Sequence, residues 1–320
     1  MHGEFLQKVQ STQKLPHVSS ALSSARKYHP SQWVYFNSPG GNLLASMELG
    51  RLIRKNGYFT EVHKKGPVSK GGLLQEKLGV TTHDLLPGIC ASACSLSYIG
   101  GVFRWLDPQS VYGVHRFYGN KSFDADIAQV TSSAVIQYIR EMGVDPELFD
   151  EMTKAGREEI NILSPSRLGA LNAVNNGVER ARWSIESGGD FVYLKGERNI
   201  QHGFNKFMVV CSNSTFWLYV MFDPQGRGDE VMTMGSQSLL IDGHPIPIAQ
   251  LRTQPQRQQN GWVHADYRLT PEILYKLQTA KTVGVAFQFV PDAPMFLGYD
   301  GMELEQGRSK LNGLVGTCGR

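Results

Sequence analysis

No apolar run in the 320 residues approaches the roughly 18 that a membrane-crossing helix needs, so no membrane span is expected. Charge of one sign is missing too. Against 29 Asp and Glu stand 32 Lys and Arg, a formal net charge of +3. The basic residues are scattered, and His63-Lys64-Lys65 is too short to hold nucleic acid or an anionic membrane surface. There are only four cysteines, and no Cys-x-x-Cys or His-x-x-x-His pair accompanies them. The usual metal-ligand spacings are therefore absent, and neither a metal nor an organic cofactor is expected. The first residues, Met1-His2-Gly3-Glu4-Phe5, lack a basic stretch followed by an apolar core, so no signal peptide is read in the chain. No internal repeat links its two halves.

The length allows two cores. In the first half, Trp33 to Phe36 reads as an apolar strand of a parallel sheet buried on both faces. Leu43 to Ile53 carries helical spacing that stops at Asn56-Gly57, and Tyr58 to Val62 resumes as a strand, giving a right-handed strand-helix-strand unit. Residues 63–87 are polar and hold Gly66-Pro67 and Gly71-Gly72, the pattern of a long loop: a flap over a groove or a surface insertion. Val18 to Lys27 and Asp124 to Met142 read as helices. Composition shifts near Asn175-Asn176-Gly177, and Glu186-Ser187-Gly188-Gly189-Asp190 reads as a linker. Beyond it, short alternating apolar bursts separated by Asp223-Pro224-Gln225-Gly226 and Asp242-Gly243 argue for an antiparallel sandwich or barrel. Its one clear helix follows Thr270.

Chemistry gathers in three ordered segments. Asn37-Ser38-Pro39-Gly40-Gly41 is a sharp glycine turn after a strand, Gly88 to Gly101 is a run of small residues around Ser92, and Gly113-Val114-His115 closes another apolar strand. A serine at a strand-to-helix turn sits beside unpaired amides that favour a developing oxyanion. A histidine at the same sheet edge would take its proton. A cap for Ser92 and a satisfied polar residue for His115 are the plainer readings of the same residues.

Taken together, these segments resemble the Clp protease proteolytic subunit and its extracytoplasmic Clp-like relatives, over about Trp33 to Asn176. The resemblance implies a crotonase-like α/β domain over residues 1–183, distinct from the β-rich binding or interaction domain that the alternation itself places over residues 190–320. It further implies Ser92 as nucleophile, His115 as base, and the amides of Gly41 and Ala93 as oxyanion hole, acting on a peptide or protein substrate in a homo-oligomer. The family's acid precedes a Leu-Ser segment, here Leu163-Ser164. Ungapped alignment puts Ile160 at that position, and the Clp-like relatives imply Glu159. Asn161 is a neutral alternative, and a site without a third member is the remaining one.

Two function classes follow. One is a serine peptidase or hydrolase. The other is a catalytically inactive scaffold that binds a protein or glycan partner through its second domain. Acyl-CoA chemistry on the same fold is weaker, because nothing marks a nucleotide pocket. Cys211 and Cys318, on the presumed first and last strands of the second domain, are either a disulfide or two buried thiols. The disulfide would need an oxidising compartment, periplasmic or extracellular. Cys90 and Cys94 stand at i and i+4 on the expected helix, a spacing too constrained for an easy disulfide, so they read as packing residues.

Overall fold

The computed structural model describes residues 32–68, 83–117, 125–156, 158–188, 191–201, 203–291 and 293–318. The expected helix at Val18 to Lys27 lies outside them. The chain is mixed α/β with several sheets, and it divides into two units, Met1–Gly177 and Val178–Arg320.

In the first unit, β1 (Trp33–Phe36) runs parallel to β2 (Phe59–Val68), Trp33 opposite Phe59, across helix α1 (Leu43–Lys55). Asn42 caps α1, its side chain accepting the Ala45 amide, and Arg54 and Lys55 occupy the last turn, where cations suit the helix end. β1 is an edge strand, so only Phe36 is fully buried, where burial on both faces was expected. The polar stretch that reads as a loop is in part a hairpin. His63 to Val68 prolongs β2 and pairs antiparallel with β3 (His83–Pro87), through a register shift that composition does not announce. Residues 69–82 lie outside the described ones.

Three further strands follow among the described residues. β4 (Ile89–Ala91) leads into helix α2 (Ala93–Tyr98), and β5 (Arg104–Leu106) pairs with β2. β6 (Val111–Val114) runs parallel to β4, Ile89 opposite Val111 and Ala91 opposite Gly113. Helices α3 (Ala125–Glu141) and α4 (Glu147–Lys154) follow, then β7 (Asn161–Ile162), antiparallel to β6, and α5 (Pro165–Ala170). Leu96, Tyr98, Tyr112, Tyr138 and Ile139 belong to one buried core. Arg104, 1% exposed, is threaded through it by donating to the carbonyls of Gly101, Asn172 and Ala173.

Among the described residues the second unit holds two antiparallel sheets. One runs β14-β15-β11-β10-β9-β8, from β8 (Arg182–Gly188), β9 (Phe191–Ile200), β10 (Gly203–Ser212), β11 (Thr215–Phe222), β14 (Arg257–Gln259) and β15 (Trp262–Arg268). The other runs β13-β12-β16-β17, from β12 (Ser236–Ile241), β13 (His244–Pro247), β16 (Thr282–Gln288) and β17 (Leu297–Glu303). Both sheets contribute to a single core, Phe207, Leu218 and Phe222 from one with Leu239, Val285 and Phe287 from the other. Neither strand order closes on itself among the described residues, so the barrel alternative falls. The stretch that reads as a linker supplies the end of β8, paired with β9.

Among the described residues three α-helices stand here where one was expected: α6 (Gly228–Thr233), α7 (Pro271–Thr279) and α8 (Glu305–Thr317). α8 replaces the expected last strand. Its glycines weaken the helical signal, but Gly307 lies so close to the Trp183 ring that a Cβ would stand 2.6 Å from Cδ2, and Leu311 and Leu314 are buried. Packing overrides propensity. Cys318, just past α8, is bonded to Cys211 on β10, Cα to Cα 5.8 Å.

Candidate active site

The site forms where β4 and β6 end side by side. Their parallel register sets the Ser92 amide against the Gly113 carbonyl at 2.9 Å, and His115 is the first residue beyond β6. His115 is 8% exposed, and its Nε2 lies 2.7 Å from the Ser92 hydroxyl oxygen. Ser92 stands where a helix cap would stand, yet its side chain makes no capping bond. Its backbone, at φ +55° and ψ −130°, leaves the ordinary basins for an L residue and turns the hydroxyl towards the imidazole.

The glycine turn lies against this serine. Ser38 donates its amide to Ile89 and accepts the Ala91 amide, which makes the segment after β1 a parallel neighbour of β4. The Asn37 side chain accepts the Ile89 amide as well. A Cβ on Gly40, at φ +135°, would stand 2.7 Å from the Ser92 Cβ and 3.1 Å from its hydroxyl oxygen, so this position admits only glycine without displacement. Gly41, at φ +154°, has nothing within 4 Å of where a Cβ would be. The amides of Gly41 and Ala93 have no hydrogen-bond acceptor among the described residues.

The candidates for the third position lie elsewhere. Glu159 is exposed, and no hydrogen bond joins it to His115. Asn161 turns the other way, donating to the Glu151 carbonyl at 3.0 Å and its carboxylate at 3.1 Å. The Ile160 side chain covers Gly113. Glu151 itself is buried, and the Lys154 ammonium, then the Arg167 guanidinium and the Asn161 amide, hold its carboxyl below the usual range against the opposing pull of burial. No group of three or more His, Cys, Asp or Glu that would hold a metal occurs among the described residues.

Cys90 and Cys94 are joined, contrary to the packing role expected of them. The helical spacing rule does not apply, because Cys90 is on β4 and only Cys94 is on α2. The turn at Ser92 brings their Cα atoms to 5.3 Å. The signal in the sequence was the strand-like Ile89-Cys90-Ala91 before the serine. The close approach of Gly40 to Ser92 has no sequence signal beyond the glycine turn itself.

No protein-family model matches this chain, and no curated protein does. Among solved structures, 18 chains match. One of them is a mutant of the 1510-N membrane-bound stomatin-specific protease, 13% identical, with 50% of this chain and 70% of that one covered at a TM-score of 0.34.

Proposed function

We propose that the first unit is a serine hydrolase of the Clp-like kind, with the crotonase-like architecture that implies, cleaving a peptide or protein substrate. The observation that carries the proposal is the 2.7 Å contact between the Ser92 hydroxyl and His115 Nε2 at a turn with no capping role. His115 takes the hydroxyl proton as the Ser92 oxygen attacks the carbonyl, and the Gly41 and Ala93 amides hold the oxyanion that forms. His115 then gives the proton to the leaving group, and water repeats the sequence to release the acyl group. No metal or organic cofactor enters these steps. Two disulfides suit a periplasmic or secreted protein, and assembly into a homo-oligomer belongs to the same proposal.

A second reading is favoured by one observation: Glu159 and Asn161, the implied acid and its neutral alternative, do not bond the imidazole. On that reading the unit is an inactive scaffold, and the second unit binds a protein or glycan. A fluorophosphonate probe separates the two. The hydrolase reading requires covalent labelling that Ser92→Ala abolishes and His115→Ala slows by orders of magnitude. Wild-type protein that never labels, in any oligomeric form, leaves the scaffold.

A further inference from the structure

We infer that the Cys90–Cys94 disulfide is the positioning device of the nucleophile, so that the site is competent only while this bond is oxidised. The inference rests on the hydrolase reading of Ser92. The two cysteines stand two residues to either side of the serine, one on the strand before it and one in the first turn of the helix after it. Between them the backbone is extended through Ala91, left-handed in φ at Ser92 and helical from Ala93. A non-glycine residue keeps such a conformation only where its surroundings over-determine it.

The hydrogen bonds at the turn each act on one side of the Ser92 α-carbon. Upstream, the Ala91 amide donates to Ser38 and the Ser92 amide to Gly113. Downstream, the Ser95 amide and hydroxyl donate to the Ser92 carbonyl at 3.0 and 2.6 Å. The disulfide is a covalent link across both Ser92 torsions at once. Neither sulfur takes part in the proposed reaction, and both cysteines are buried, at 0% and 4% exposure. Their connection is therefore explained by what lies between them.

Opening the bond is ordinary thiol–disulfide exchange. A thiolate of a dithiol reductant attacks one sulfur and breaks the S–S bond, and its second thiol displaces the first cysteine from the mixed disulfide. Two cysteine thiols and one oxidised cyclic reductant result, with two electrons and two protons passed to the protein. Ser92 is then free to relax towards an ordinary backbone basin, carrying its hydroxyl away from His115. The same chain is thus active in an oxidising compartment and silent where thiols are kept reduced.

The test measures the second-order rate of fluorophosphonate labelling for oxidised wild type, wild type reduced with dithiothreitol, and the double variant Cys90→Ala/Cys94→Ala. The variant leaves Cys211–Cys318 intact, which the reductant does not. Labelling is expected to fall at least tenfold, the scale of a displaced catalytic atom, in both the reduced protein and the variant. Reoxidation should restore the wild type alone. Circular dichroism checks that each form is folded. Should the variant fail to fold, native reduction with alkylation mapping of Cys90 and Cys94 takes its place. A readout independent of turnover is the His115 Nε2 nitrogen resonance, which reports the hydrogen bond to Ser92 and should move when the brace is removed. A folded variant that labels at the wild-type rate overturns the inference. If wild type never labels, the hydrolase reading fails separately; the brace then stands on a displaced His115 resonance and falls on an unchanged one.

Discussion

Replacing Gly40 by alanine probes how closely the glycine turn is fitted to Ser92, the proposed nucleophile. The added Cβ would lie 2.7 Å from the Ser92 Cβ, 3.1 Å from its hydroxyl oxygen and 3.2 Å from the Ala91 carbonyl oxygen. Two carbons rest about 3.5–4.0 Å apart, so something must give by about 1 Å. The Ala91 carbonyl is backbone, and Ser92 is fixed through its amide and by the disulfide around it. The φ of +135° adds strain of about 1–3 kcal/mol for a side chain that rarely adopts it. Overpacking of this kind costs a further 1–3 kcal/mol or so. We therefore expect Gly40→Ala to lower stability by about 2–6 kcal/mol, and to slow probe labelling by about a hundredfold, because a 1 Å displacement of a reacting atom has that effect. Gly41→Ala is the control, since φ +154° carries the strain and nothing stands within 4 Å. It should cost only the strain and slow labelling less. Urea unfolding followed by tryptophan fluorescence, with labelling rates beside it, decides the matter. If Gly40→Ala unfolds at the wild-type midpoint and labels normally, the close fit is wrong; if Gly41→Ala is equally damaging, strain and not contact is the operative term.

Three further outcomes follow from the first unit. A carboxyl depressed in the folded state gives stability that is fully present above its unfolded titration range and is lost as pH falls through the folded value. For Glu151, Gln substitution should therefore cost about 1–3 kcal/mol at pH 7 and progressively less in acid, and a urea-measured deficit equal at pH 7 and pH 3 would refute this. Arg104→Met should lose about 3–5 kcal/mol by leaving three carbonyls unbonded, and Arg104→Lys should recover little because an ammonium cannot reproduce the fork; a thermal melt in which lysine restores the wild-type midpoint contradicts the role given to the guanidinium. Gly113→Ala drives a Cβ into Ile160 Cγ2 and should destabilise, while adding Ile160→Ala should return part of the loss, so a double-mutant cycle with no coupling would deny the contact.

The parts of the fold legible in the sequence are those with local signals. The stop at Asn56-Gly57, the Thr270 cap and the alternation of β10 and β11 are each encoded within a few residues of where they act. That the strands before Ser92 and His115 end together was legible only through the order of three motifs, because no local pattern specifies a strand's neighbour. The illegible parts depend on distant or conformational facts. α8 exists because Trp183, more than 100 residues away, covers Gly307. The β2–β3 hairpin leaves even Leu85 and Leu86 exposed, so it offers no buried face to read. The Cys90–Cys94 bond turns on the sign of one φ angle at Ser92, and spacing rules that assume a continuous helix give the opposite answer.

The arrangement at the site reduces to a register that continues past the strands that establish it. Ser38, Cys90 and Tyr112 lie in one row across three parallel segments. Two residues further along each segment, where a strand returns to the same face, stand Gly40, Ser92 and Val114. That row contains the close contact of Gly40 with Ser92, and His115 is the next residue beyond it, within 2.7 Å of the serine hydroxyl. Each member is thus placed by counting from a hydrogen-bonded pair, not by its own affinity for its neighbours. One residue inserted between Ser38 and Gly40 would leave the composition of the turn intact yet carry the glycine to the opposite face. The spacing of Ser38-Pro39-Gly40-Gly41 relative to β4, more than the glycines themselves, is what confines Ser92 between a bare backbone on one side and an imidazole on the other.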